Sequence, residues 1–172
     1  LVVKMPAKKP CDYAYVLKID GAGLEAVPSG EDRSIPAGAD GRIVLAAENA
    51  SLYGYSPAFR IRRDDKVISI GGWTDWDDYV TWDVRVSQPG SYMVEIDYGC
   101  PNQCAGSEYT IDMDGQTLKY AVGPTGDWEK FKKEKVGVLN LTKAGVQTLS
   151  IRPTRGKWNN AMNVRSVTLS DQ

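Results

Sequence analysis

The stretch Gly71–Val86, GGWTDWDDYVTWDVRV, joins a polar loop rich in aromatic rings to a strand. Val80, Trp82, Val84 and Val86 alternate with Thr81, Asp83 and Arg85, the period of two that makes one face of a pleated strand apolar and leaves the other wet. Trp82 is in phase with Val80 and Val84 and is expected in the core. Upstream, Trp73, Trp76 and Tyr79 are interleaved with Thr74, Asp75, Asp77 and Asp78. Neither a helix stripe nor a strand face explains that mixture, so part of the loop is expected to look outward.

Working outward, the pattern is strand after strand with turn signals between. Ile43–Ala47, Leu52–Tyr55, Phe59 with Ile61, and Val67 to Ile70 precede the organising strand. After the turn Gln88-Pro89-Gly90-Ser91, Tyr92, Val94, Ile96 and Tyr98 share one face. Tyr109, Ile111 and Met113 form the next apolar face, Asp114-Gly115 is a hairpin signal, and Leu118, Tyr120 and Val122 continue the meander. Val136–Leu141, Gln147–Arg152 and Asn163–Leu169 supply three more strands. Near the end, Met162 and Val164 share one parity while Val167 and Leu169 have the other, which predicts a bulge around Arg165 and Ser166. No segment of about 10 residues shows sustained apolar spacing at three and four. The expected fold is therefore all-β, an antiparallel β-sandwich.

The 172 residues suffice for one domain of ordinary size with some chain left over. Residues 1–28 read as a short β-hairpin segment, with strands around Leu1–Met5 and Tyr13–Ile19, that could be the tail of a preceding domain or could pack on the sandwich. Residues 29–41, rich in Pro, Gly and charge, read as a linker, and 42–172 as the sandwich. The chain opens on Leu1 rather than Met, which fits a processed product or a fragment.

Charge excludes some partners. With 21 basic and 22 acidic residues the net charge is -1, against nucleic acid or an anionic membrane surface as the main partner. No apolar run approaches the ~20 residues needed to cross a bilayer, and the opening residues lack the apolar stretch of a signal peptide. Histidine is absent, which removes Ser-His-Asp triads and the commonest zinc ligand sets. Of the three cysteines, Cys11 reads as a small apolar residue. Cys100 and Cys104 are close enough in sequence to bridge within one loop, as would suit an exported protein, or to be two free thiols.

The polar loops carry the candidate binding residues. Trp128 follows Gly126 and Asp127 in a turn, and Trp158 is followed by Asn159 and Asn160. Flat apolar faces of sugar rings stack on such side chains while amides bond the hydroxyls. The alternative is that Trp128 and Trp158 cap the core. Asp77 with Asp78, and Asp112 with Asp114, do not look like an acid–base pair. Solvated carboxylates are the expected account of them, and calcium is a weak alternative.

Five segments in order, IVLAAENASLYG, GGWTDWDDYVTWDVRVSQPGSYMVEIDYGC, VGPTGDWEKF, AGVQTLSIRP and AMNVRSVTL, resemble the family-6 and family-35 carbohydrate-binding modules. More closely, they are similar to the C-terminal module of bacterial family 29 α-L-fucosidases. The resemblance implies a jelly-roll, galactose-binding-like sandwich. It further implies a secreted or periplasmic accessory domain that binds carbohydrate without catalysis, the parent's catalytic domain being absent from this chain. A structural module that packs on the catalytic domain without binding sugar is the other reading. The family's ligand tryptophan is matched by Trp128, its amide falls near Asn159 or Asn160, and a second ring would come from Tyr55 or Tyr79. Its structural calcium uses a Glu matched by Glu48 and an Asp near the last strand. Asn163-Val164-Arg165 stands there instead, a departure that weighs against the calcium and, by extension, against the ancestral ligand site.

Overall fold

The alternation in Tyr79–Val86 becomes a strand whose Val80, Trp82, Val84 and Val86 are all buried. The structure, a computed structural model, describes residues 32–55, 57–61, 67–75, 77–155 and 162–172. All of these but Asp32 belong to one compact unit, Arg33–Gln172. The hairpin read at 1–28, with Cys11, lies outside the described residues. Eleven strands are described: β1 Ile43–Ala46, β2 Ser51–Tyr53, β3 Ala58–Ile61, β4 Val67–Gly71, β5 Tyr79–Val86, β6 Gly90–Gly99, β7 Glu108–Met113, β8 Gln116–Ala121, β9 Phe131–Leu141, β10 Gly145–Arg155 and β11 Asn163–Asp171.

They form two antiparallel sheets. One runs β3-β4-β11-β6-β9, with β1 also paired to β11; the other runs β2-β5-β10-β7-β8. Ile35, in the segment read as linker, adds a parallel bridge to Val84 on the β2 side of β5, donating to Asp83 O at 2.8 Å and accepting from Arg85 N at 2.9 Å. The core lies between the sheets, Val94, Ile96, Tyr98, Leu139, Val167 and Leu169 on one side facing Trp82, Val84, Ile111, Leu149 and Ile151 on the other. Trp82 is buried as expected, and its indole N–H donates to the Ala46 carbonyl at 2.8 Å, so the largest core side chain leaves no orphaned donor. Asp114 (φ 51) and Gly115 (φ 72) both take the left-handed backbone that a two-residue hairpin turn requires.

The bulge expected near Arg165 is present, since Val164 pairs with Tyr98 but Ser166 with Asp97. A second bulge was not legible. β9 is five residues longer at its start than the apolar pattern of 136–141 indicates, because FKKEK on an edge strand carries no periodic apolar signal. Between Val94 and Glu95 its register with β6 shifts, so Ile96 and Tyr98, which point into the core, meet Glu134 and Lys132. Glu134 Oε2 there accepts from Tyr98 Oη and Tyr120 Oη, each at 2.9 Å, and from Lys132 Nζ at 2.8 Å. Tyr98 lies on β6 and Tyr120 on β8, so one carboxylate ties the two sheets along their open edge. Gln116 completes the tie by exchanging two bonds with the backbone of Asn140, at 2.6 and 3.0 Å.

Burial raises the pKa of both phenols, which therefore stay protonated and donating. The Lys132 ammonium, and after it the two phenols, hold the Glu134 carboxyl below its ordinary 4.5 against the opposing effect of burial. A carboxyl lowered in the folded state contributes stability that is complete above its unfolded value and is lost as pH falls through the folded one. Glu134→Gln is therefore expected to melt below the wild type at pH 7, with the gap closing as pH is taken below 4.5. Thermal melts at neutral pH and at about pH 3 check this; a gap of constant size would show that the charge of Glu134 is not what holds the edge.

Candidate functional site

Strand direction gathers one set of loops at one end of the sandwich, where β5, β7, β9 and β11 begin and β2, β4, β6, β8 and β10 end. Trp128 sits in the loop between β8 and β9 that folds back over the end of β6. Thr125 N donates to Cys100 O at 2.7 Å, and Cys100 N donates to Thr125 Oγ1 at 2.8 Å. The Trp128 carbonyl packs on Gly99, where any Cβ would collide with it. Asn163 Nδ2 donates to that same carbonyl at 3.3 Å. Trp128 is half-buried against the core, so it both caps the sandwich and reaches its surface.

Asn163 is a site residue that the sequence reading did not select. It is buried, and its Oδ1 has no partner. The available signal was an amide between two apolar residues, Met162 and Val164. Asp97, on the same outward face of β6 as Gly99, is also buried. Its Oδ2 accepts from Arg165 Nη2 at 2.7 Å and Nε at 2.9 Å, while its Oδ1 has no partner. The Arg165 guanidinium lies 4.3 Å over the Phe131 ring, and Phe131 pairs with Gly99. Around the Trp128 loop the sheet thus supplies ring surface and two buried acceptor oxygens without donors, which a hydroxyl or a water can satisfy.

The tyrosines lie on the other sheet at this end. Tyr53 and Tyr79 stack with centroids 4.7 Å apart and planes 6° apart, and the Arg152 guanidinium lies 4.1 Å over Tyr79. Tyr55 is 96% exposed. Asp78 presents it: Asp78 Oδ1 accepts from Tyr55 N at 3.0 Å, and Oδ2 accepts from Thr74 N at 3.0 Å and Asp75 N at 2.9 Å. Asp78 is fully buried, so the expectation of a solvated carboxylate fails for it. Backbone N–H groups, rather than water, satisfy this carboxylate, and an adjacent Asp77 in a loop gives no hint of the difference. Trp73 is buried with its ring edge-on to Tyr109, 5.7 Å away. Among the described residues no ring contact joins Trp128 to Tyr55 or Tyr79. Trp76, Trp158, Asn159 and Asn160 lie outside the described residues.

Cys100 and Cys104 are both free and buried, with a single 3-10 turn, Asn102–Cys104, between them. Burial, with a smaller contribution from Cys104, pushes the Cys100 thiol up to about 11, far from a reactive thiolate at neutral pH. Glu48 lines a cleft of about 390 Å³ with Asp83, Asn49, Ala50, Ser51 and Arg33. Calcium takes six to eight oxygen ligands; this lining offers two carboxylates and sets a guanidinium beside them. Among the described residues no group of three or more His, Cys, Asp or Glu side chains could hold a metal ion, and the set around Glu48 does not fit calcium. No helix among them is long and apolar enough to cross a membrane.

The fold and its loop end define a jelly-roll sandwich of the kind used by carbohydrate-binding modules. It is similar to a family 35 carbohydrate binding module from Clostridium thermocellum, at 17% identity over 76% of this chain and 98% of that one, with a TM-score of 0.62. It is also similar to the module CBM6cm-2 of Cellvibrio mixtus lichenase 5A, solved in complex with cellotriose, at 20% identity over 75% and 96% of the two chains, TM-score 0.58. A Podospora anserina GH26-CBM35 β-(1,4)-mannanase matches at 19% identity over 77% of this chain, TM-score 0.59, and the match spans 28% of the mannanase. At these identities the likeness is one of fold. No curated protein matches the sequence. The chain belongs to the family described as Domain of unknown function (DUF5077), whose profile matches residues 58–172.

Two substitutions test how the loops are held. Asp78→Ala strands three backbone donors and is expected to lower stability by roughly 3 kcal/mol in urea denaturation, whereas a loss below about 1 kcal/mol would mean that water replaces the carboxylate. Gly99→Ala is expected to speed hydrogen exchange of the Thr125 and Gly126 amides about tenfold or more while leaving β10 protected; unchanged exchange would place the Trp128 loop's anchor elsewhere.

Proposed function

We propose that this chain is a noncatalytic carbohydrate-binding accessory domain of a secreted or periplasmic glycoside hydrolase. The observation that carries the reading is the Trp128 loop. A half-buried tryptophan has its backbone carbonyl seated on a glycine at the sheet's end, beside an asparagine and an aspartate whose buried oxygens lack donors. Sugars pair an apolar ring face with hydroxyl donors, which is the complement of that surface. The fold is shared with modules described as carbohydrate-binding, one of them solved with cellotriose. The ordered sequence segments favour an α-L-fucosidase as the parent, with residues 1–28 as the tail of a preceding domain.

Affinity is expected near 10⁻⁴ M, about 5.5 kcal/mol. Tryptophan fluorescence during titration with mono- and oligosaccharides, L-fucose included, is expected to show a saturable change in the wild type and none in Trp128→Ala. If no sugar perturbs a chain shown to be folded, the module is instead a structural one that packs against its catalytic domain. Binding that survives Trp128→Ala would move the platform away from this loop.

A further inference from the structure

The outward face of the β2-β5-β10-β7-β8 sheet carries one continuous row of side chains near the loop end. Register sets Tyr53 beside Tyr79, Arg152 beside Thr110, and Thr110 beside Lys119. Arg152 closes the row by lying over the Tyr79 ring at 4.1 Å. Tyr53 covers one face of that ring and Arg152 the other, because β2 and β10 flank β5 on opposite sides. Stacked in this way, the guanidinium is held against the ring by cation–π attraction.

Arg152 differs from the other arginines whose contacts are resolved. Arg165 and Arg42 each bond a carboxylate, of Asp97 and Asp40 respectively. Arg152 is half-buried, yet among the described residues no carboxylate or carbonyl accepts from it. Asp112, on the same face of β7, is engaged by Thr117 instead. The Tyr53 and Tyr79 hydroxyls likewise have no partner among the described residues. A partly desolvated guanidinium stacked on a ring, with no counterion among the described residues, suits an oxyanion that arrives from solvent, which it can grip through two parallel N–H bonds. Lys119, exposed at the far end of the row, adds a second positive charge. Tyr53, 44% exposed, leaves ring surface open next to the fork.

We propose that this row is a second binding site, on a different sheet from the Trp128 loop, for a saccharide bearing an acidic group, a uronic-acid carboxylate or a sulfate ester. Arg152 grips the anion and Tyr53 covers the adjoining ring. The inference rests on the reading of the chain as a saccharide-binding module, and it adds the chemical class and the place of a second ligand.

Isothermal titration of the whole chain with an oligogalacturonate, a sulfated galacto-oligosaccharide and neutral cellotriose tests it, on wild type, Arg152→Ala, Arg152→Lys and Trp128→Ala, each shown to be folded by its thermal melt. The expected result is binding of at least one acidic oligosaccharide that weakens about tenfold in Arg152→Ala. It should weaken less in Arg152→Lys, which keeps the charge and loses the fork, and persist in Trp128→Ala. Binding of the uronate alone or of the sulfate alone names the anion. If Arg152→Ala does not fold, the Arg152→Lys arm decides. Acidic binding that Arg152 substitutions leave unchanged, or that Trp128→Ala abolishes, overturns the second site. So does binding of neutral sugar only, which leaves the module reading intact, whereas a folded chain that binds none of the three overturns both.

Discussion

Two pleated sheets meet across a face that is apolar on both sides, and the placement of each outward-facing side chain depends on that contact. Because side chains alternate with a period of two, a slip of β5 by a single residue would exchange Trp82 and the valines for Thr81, Asp83 and Arg85 in the core. The penalty fixes register, and register decides which residues stand on the outward faces. Tyr79 and Arg152 point away from the core because their neighbours Val80 and Ile151 point into it. Trp82 strengthens the constraint, since its indole N–H must find an acceptor in a dry interior and finds it at Ala46.

Bulges then break the alternation where something other than core packing is needed. At Arg165 the extra residue of β11 lets Val164 and Val167 both stay buried while the guanidinium turns outward to Asp97 and Phe131. On β9 the bulge turns Glu134 and Lys132 toward Tyr98 and Tyr120, so an edge that would otherwise lie open is closed by a carboxylate shared among three donors. The opposite end of that edge is joined by Gln116, whose amide substitutes for a neighbouring strand.

At the loop end, backbone groups do most of the positioning. Asp78 collects three N–H groups and so holds the chain on which Tyr55 stands, and Cys100 and Thr125 exchange bonds that seat Trp128 on Gly99. Both rings are therefore anchored through main chain that is itself fixed to strand ends.

Alternation over Tyr79–Val86, Tyr92–Tyr98 and Tyr109–Met113 was sufficient to read the all-β sandwich, the Asp114-Gly115 hairpin and the bulge at Arg165 from the sequence. These are local consequences of pleat, turn conformation and parity, and local rules carry them. The TGDW segment likewise marked Trp128, since a large ring in a turn needs a reason. What local rules could not reach was anything decided by a partner distant in the chain. Asp78 and Asp77 are alike as neighbours in sequence, but only one meets three backbone donors. Asn163 becomes a site residue because Trp128, 35 positions away, turns its carbonyl to it. Arg152 stands without a counterion among the described residues because strand order placed a tyrosine beside it rather than a carboxylate. Hydrogen bonds and stacking act over a few ångströms in space, and only tertiary structure fixes which residues share that space.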